Sequence, residues 1–479
     1  MADFADYSEY KFEIGKAFRQ KEPENPEEYL ETAEKIHGFL ERHKVETPDG
    51  VYWKETPDQK EIDFSFTHGS AGIAYFYLEL YKVTGKEIYK ELVLKAADYI
   101  GKYIKNPDGS QHTFSLKILE NSLFHGYAGI GQCIYQIYQA FGRPEDLETI
   151  KTLTDLLLSH TLKKGDGTYE QLEPYMTPEI KAALDQGQLV VWSSDAAMLL
   201  DSGIVVYLYK IYPLLKDPKI LETAVRATET ILAGAIHDPR GGLAWTTRAH
   251  GGVKKVPNFE MGAAGIGYML TVAYEATGKA AYLEAAKQAA EYLRAIAVPQ
   301  GEGYLIPYHD EPDEEQIFYV GYCHGAGGTS KLFYQLYKLT GDEAYLGDIH
   351  KLFKGLRHIG VPEVQSAGCW NTTCLCCGTA GIAQFMISCY LVTGEEEFRE
   401  VALTAGRILL GEQKQYGEYA VSWPIGFERI HNDLITEPIS YWQGSTGNAA
   451  ALLQLYLFVN GKFKWDRLFD DPYPGEEMH

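Results

Sequence analysis

The chain has 479 residues, 45% of them hydrophobic and 23% charged, ordinary globular usage with length enough to bury a large core without staples. Its net charge is −22, from 44 basic and 66 acidic residues, which argues against nucleic acid or an anionic membrane as partner and leaves room for a cationic peptide. The acidic N-terminus lacks a signal-like apolar segment, and no run reaches the ~18–20 residues of a membrane span.

Taken in chain order, the elements repeat one unit. The first copy, Thr67-His68-Gly69-Ser70-Ala71-Gly72, leads into an apolar stretch that stops at Thr84-Gly85. A charged segment follows in which Ile88, Leu92, Ala96 and Tyr99 recur at three- and four-residue steps, the pattern of an amphipathic helix. The second copy is Phe124-His125-Gly126-Tyr127-Ala128-Gly129, and a degenerate third is Leu199-Leu200-Asp201-Ser202-Gly203. The fourth contains Met261-Gly262-Ala263-Ala264-Gly265 and the fifth Cys323-His324-Gly325-Ala326-Gly327-Gly328. The sixth is Cys376-Cys377-Gly378-Thr379-Ala380-Gly381 and the seventh Trp442-Gln443-Gly444-Ser445-Thr446-Gly447. From Gly69 to Gly444 the period is about 62 residues.

Each apolar stretch reads as a helix of an inner ring, and each charged one as a helix of an outer ring. The unit is an outer helix, a long connection and an inner helix. Several connections carry a tryptophan near a short extended piece (Trp53, Trp192, Trp245, Trp370, Trp423), predicting small hairpins on one rim with the indoles as core wedges. No linker interrupts residues 30–460, so residues 1–479 are read as a single all-α domain, an α/α toroid of seven helical hairpins. Closure into a ring lets every hairpin bury both flanks.

The glycines let inner helices start close against their neighbours. The residue before the first glycine therefore sits at a helix N-terminus, where free N–H groups favour anions and thiolates. Ring geometry gathers His68, His125, Leu199, Met261, His324, Cys377 and Gln443 at one end. His68, His125, Met261 and Gln443 are the candidate substrate contacts, although histidines so placed more often serve a structural role, hydrogen-bonding the next loop. Of the seven cysteines, Cys323, Cys376 and Cys377 fall at this end, and an odd count without a signal reads as reduced thiols in a cytoplasmic protein.

Tyr322-Cys323-His324-Gly325 resembles the Trp-Cys-x-Gly motif of the lanthionine synthetase C-like family, and Cys376-Cys377-Gly378 resembles its Cys-His-Gly motif one repeat later. The resemblance implies one zinc ion held by Cys323, Cys376 and Cys377. It further implies addition of a cysteine thiol to dehydroalanine or dehydrobutyrine in a dehydrated precursor peptide, or of a small thiol such as glutathione. Three protein ligands leave a fourth position for a substrate thiol. Cys369 and Cys374 stand close enough to compete as ligands.

This sequence departs from the family in its acid–base set. Met261 occupies the position of a catalytic histidine, Tyr319 that of an arginine, and Asp195 lies one position from a third-repeat aspartate. His324, Tyr319 and Asp195 are the candidate catalytic residues that remain. Two other readings stay open: a zinc-containing peptide- or glutathione-binding relative with little turnover, and another α/α-toroid enzyme such as a glycoside hydrolase. The latter needs paired carboxylates, where the signature positions here hold His, Cys, Met and Gln.

Overall fold

The computed structural model describes residues 17–56, 58–105, 119–163, 181–182, 186, 190–193, 195–249, 252–310, 317–364, 369–370, 372–426 and 434–476. Among them are fourteen helices in two alternating sets. In chain order they are α1 (Glu27–Leu40), α2 (Ser70–Thr84), α3 (Glu87–Lys105), α4 (Tyr127–Phe141), α5 (Pro144–Ser159), α6 (Asp201–Leu215) and α7 (Pro218–Ala233). Then come α8 (Ala263–Thr277), α9 (Ala280–Ile296), α10 (Ala326–Thr340), α11 (Ala344–His358), α12 (Thr379–Thr393), α13 (Glu396–Glu412) and α14 (Ser445–Val459). The even-numbered helices form the inner ring. Each packs on its two inner neighbours, and α14 packs back on α2. The result is the expected toroid of seven hairpins.

Burial separates the sets. In α2 every residue from Ser70 to Leu80 is buried, because a helix enclosed on all sides has no solvent face. The outer α1 buries Tyr29, Ala33, Ile36 and Leu40 along one face, and Glu27 and Glu28 occupy its first turn, where the helix dipole favours acidic groups.

The hairpin pairing differs from the expected unit. Each inner helix packs most extensively on the outer helix after it, across a two- or three-residue turn, and α14 packs instead on α1. The short turn decides this. Gly85, Gly142, Gly278, Gly341 and Gly394 adopt left-handed φ values of 65–71°, which glycine reaches without a Cβ penalty. The chain then reverses at once. Lys216 holds the same conformation in the third repeat, φ 55°.

Among the described residues seven two-stranded sheets occupy the connections; six are antiparallel. The seventh pairs Cys369–Trp370 in parallel with Phe318–Tyr319. The tryptophans do more than fill space. The indole N–H groups of Trp192, Trp245 and Trp423 donate to Leu157 O, Ile231 O and Leu409 O, at 2.7, 2.9 and 2.8 Å. Those carbonyls lie in the last turns of α5, α7 and α13, where oxygens lack the usual partner four residues on; Ile231 O also takes the Gly234 N–H at 3.1 Å.

The second glycine of the signature works by contact. A Cβ on Gly72, Gly203, Gly265 or Gly447 would lie 2.1, 2.2, 1.9 or 1.9 Å from the carbonyl oxygen six or five residues earlier, where the approaching chain crosses the first helical turn.

The crossing segments also bond to one another. The Thr67 N–H donates to Phe124 O (3.0 Å), Trp442 N–H to Thr67 O (3.3 Å) and Cys376 N–H to Trp442 O (2.8 Å). Tyr322 N–H donates to Cys376 O (2.7 Å), Glu260 N–H to Cys323 O (2.9 Å) and Leu199 N–H to Glu260 O (2.8 Å). This belt brings all seven signature positions to one end of the ring.

The chain beyond α14 turns back inside the ring. Tyr75 Oη donates to Asp466 O (2.6 Å), Gln136 Nε2 to Arg467 O (3.1 Å) and Tyr268 Oη to Phe469 O (2.9 Å). Between this segment and the inner helices lies a cavity of about 50 Å³, room for a few waters.

Candidate metal centre and its surroundings

Cys323 lies two residues before Gly325, the N-cap of α10, and Cys376 and Cys377 immediately precede Gly378, the N-cap of α12. The two segments meet because Gly321 has no side chain: a Cβ there would stand 2.4 Å from Cys376 O and 2.9 Å from Cys377 Cα. Tyr322 N–H then bonds Cys376 O at 2.7 Å. The thiols follow the backbone together.

Cys323 Sγ and Cys376 Sγ each lie 3.4 Å from Cys377 Sγ, and all three sulfurs are within 4.8 Å of one another. Tetrahedral zinc–sulfur bonds of ~2.3 Å put two sulfurs ~3.8 Å apart, so the trio fits one soft ion with small adjustment. All three cysteines are buried, at 2%, 7% and 4% exposure. The thiols share protons. Burial opposes ionisation of Cys323, but thiols of Cys376 and Cys377 directed at it prevail and bring its pKa down to about 7. The Cys323 sulfur in turn pushes the Cys376 and Cys377 thiols up. Three sulfurs close together in a dry site form a donor set suited to a soft cation.

Cys374 is also buried, with Sγ 3.0 Å from Thr372 Oγ1, and lies beside Cys377. It falls outside the three-sulfur group of close ligand atoms. The Cys369 side chain lies outside the described residues.

Sequence reasoning missed Glu260. Its ligand oxygen, Cys323 Sγ and a ring nitrogen of His324 lie within 4.8 Å of one another, and Glu260 Oε2 is 3.9 Å from His324 Nε2. Burial, then the neighbouring Cys376, raises the Glu260 carboxyl well above its ordinary range. A signal was present. Glu260 holds the same place before Gly262 that Cys323 holds before Gly325 and Cys376 before Gly378.

The other candidates spread around the belt. His324 is 7% exposed and packs edge-on against Tyr308, centroids 4.6 Å apart. The Tyr319 ring is 5.5 Å from that of His324 and 4.5 Å from Tyr308. His68 and His125 lie side by side, centroids 5.1 Å apart. Burial lowers both, His125 to about 3 with His68 adding to the effect, while the Asp63 carboxylate opposes it at His68. Gln443 is half-buried next to them in the belt. Met261 packs in a small apolar cluster with Ala197, Leu200 and Val256, against Leu199. Asp195 is buried in the loop before α6, where its Oδ1 accepts the Ala197 N–H at 3.0 Å. The third repeat thereby gains a turn like that of the first, where Asp63 Oδ1 accepts the Ser65 N–H at 2.7 Å.

Comparison with solved structures matches this fold to nisin cyclase at 15% identity, covering 89% of this chain and 94% of that one, with a TM-score of 0.58. A protein from Listeria innocua is similar at 13% identity, 90% and 97% coverage and TM-score 0.44, and a sugar epimerase from a ruminal bacterium at 15%, 70% and 87%, and 0.44. By sequence, residues 7–110 and 60–469 match the family described as lanthionine synthetase C-like protein. Spanning most of its length, that match shows that the chain belongs to the lanthionine synthetase C-like family.

Proposed function

We propose that this protein is a zinc-dependent cyclase that adds a cysteine thiol to a dehydroalanine or dehydrobutyrine residue and so forms a thioether. The single observation that carries the reading is the buried trio Cys323, Cys376 and Cys377, with sulfurs within 4.8 Å of one another, beside a titratable pair. Zinc bound by the trio would acidify a thiol arriving at its fourth position.

The protein's own residues account for the rest. As the sulfur–carbon bond forms, the alkene electron pair moves toward the substrate carbonyl, and the α-carbon must then receive a proton. Delivery of that proton falls to Glu260, whose carboxyl is raised by burial, and His324 Nε2, 3.9 Å from Glu260 Oε2, takes up the proton that the incoming thiol gives up and returns it to the carboxyl. This pair replaces the histidine whose place Met261 takes. The side chains of His68, His125 and Gln443 line the same belt and contact the substrate chain. That substrate is a dehydrated peptide, in keeping with the likeness to nisin cyclase and with the net charge of −22, or a small thiol. The six cysteines whose side chains are described are free, which supports a reducing, cytoplasmic setting, and no helix of the described residues is long and apolar enough to cross a membrane.

The test is ring closure on dehydrated, cysteine-containing peptides at equal zinc content. Wild type should close rings. Glu260→Gln should lose about 100-fold or more in rate while retaining metal, and His324→Asn should lose less. Equal rates in all three would remove the pair from the mechanism. Zinc-loaded wild type inert toward varied peptides and glutathione would instead favour the binding relative, to which Met261 and Tyr319 point.

A further inference from the structure

Tyr322, next to Cys323, is fixed at four points. Its N–H donates to Cys376 O at 2.7 Å. Its ring stacks on Trp442, centroids 4.2 Å apart and planes 26° from parallel. Its hydroxyl donates to Asp470 Oδ2 at 2.8 Å. The Lys331 ammonium sits 4.5 Å from its ring centroid and 3.1 Å from the same Asp470 oxygen.

These groups come from distant parts of the chain. Lys331 belongs to α10, and Asp470 to the segment that fills the ring centre. Lys331 is 8% exposed and Asp470 1%. A buried ammonium and carboxylate hold each other firmly, because leaving either alone in so dry a place is costly. The other carboxylate oxygen, Asp470 Oδ1, is buried without a protein partner, and Asp470 lines the internal cavity. The carboxylate therefore serves Tyr322 and Lys331 rather than a wider network of protein donors.

We infer that Tyr322 is a positioning residue for the metal centre, setting the separation of Cys323 from Cys376 and Cys377, and that Asp470 and Lys331 hold it in place through its hydroxyl and ring. Cys323 reaches the trio from the fifth repeat and the other two cysteines from the sixth. Tyr322 spans that junction by bonding the Cys376 carbonyl with its backbone while its side chain is anchored to the central segment. Phenylalanine would keep the stacking and the backbone bond but lose the anchor. The inference rests on the metal-site reading above and concerns how the site is held, not which reaction it performs.

The experiment uses cobalt(II) as a probe, because the visible d–d bands of a tetrahedral cobalt–thiolate site report its geometry. Wild type, Tyr322→Phe and the double variant Lys331→Met with Asp470→Leu are compared for cobalt spectrum, for zinc affinity by chelator competition, and for helicity and unfolding midpoint. Both variants should stay folded and bind zinc about 10-fold more weakly, with weakened and shifted cobalt bands. The double variant removes both charges together and so keeps a misfolded single variant from clouding the result. A Tyr322→Phe protein with wild-type spectrum and affinity overturns the inference and leaves the metal site standing. Affinity lost only in proportion to unfolded protein overturns it equally. A wild type that takes up neither metal overturns the metal-site reading, and this inference with it.

Discussion

The same substitution, glycine to alanine, should have opposite effects at two helical positions. In α8 a Cβ on Gly265 would lie 1.9 Å from Phe259 O and 2.7 Å from Met198 Cβ. Neither neighbour is the far end of a flexible side chain, so α8 or the crossing segment must move by more than ~1 Å to restore contact distance. In α11 a Cβ on Gly347 meets nothing within 4 Å. Alanine gains about 1 kcal/mol of helix propensity over glycine at either site. At Gly347 nothing opposes that gain, so Gly347→Ala should stabilise by up to about 1 kcal/mol. At Gly265 overpacking against backbone costs ~1–3 kcal/mol or more, and with the carbonyl this close the upper end applies, for a net loss of about 2 kcal/mol. Urea unfolding followed by circular dichroism at 222 nm should move the two midpoints in opposite directions. A Gly265→Ala midpoint at or above that of wild type would refute the close-approach explanation of the signature.

Other outcomes follow from the same geometry. Purified, reduced protein should carry about one zinc per chain; Cys323→Ala should lose it. Cys133→Ala should keep it, since Cys133 is buried within α4 with Sγ bonded to Ala71 O at 3.1 Å, and metal retained by Cys323→Ala would end the three-cysteine assignment. Lys216→Gly should stabilise by roughly 1 kcal/mol by relieving the left-handed lysine, an unchanged urea midpoint counting against it. Glu79, 1% exposed, has its carboxyl raised from 4.5 to about 7, mainly by burial. The folded state thus binds this proton more tightly than the unfolded one. Its contribution is full below about pH 4.5 and declines as pH rises to about 7, by about 3 kcal/mol in all. Glu79→Gln should flatten that part of the stability profile, and unfolding midpoints at pH 5 and pH 8 that differ as much as in wild type would contradict it.

The repeat, the ring and the three cysteines were legible because they depend on local pattern. Gly-x-x-Gly marks a crossing that each repeat makes within its own sequence, as at Gly72 over the Phe66 carbonyl. Two features were hidden for different reasons. The pairing of each inner helix with the outer helix after it depends on the brevity of turns such as Gly85-Lys86, which the equally spaced signatures drew attention away from. The filling of the centre by residues 463–473 has no periodicity at all; it depends on single long-range bonds such as Tyr268 Oη to Phe469 O. At the site, Glu260 was passed over because the comparison fixed on the residue directly before the glycine, whereas the cysteines Cys323 and Cys376 stand one place earlier. The turn that Asp195 forms with the Ala197 N–H was equally hidden, because an acidic residue in a loop does not announce in sequence which backbone group it bonds.

The way the ring closes has a consequence for how the chain is made. The last hairpin joins the first helix to the last, for α1 packs on α14, and Leu40 must wait for Ser445. At ~5–20 residues per second of synthesis, α1 spends tens of seconds with its face of Tyr29, Ala33, Ile36 and Leu40 uncovered. Until then the nascent chain is an open arc with one sticky end. Joining the ends by a linker and opening the chain at the Gly278 turn would make α1 follow α14 in chain order and move the late-closing seam to α8 and α9, already neighbours across that turn. Such a permuted chain should regain its helical signal after dilution from urea with less aggregation than the natural order of helices.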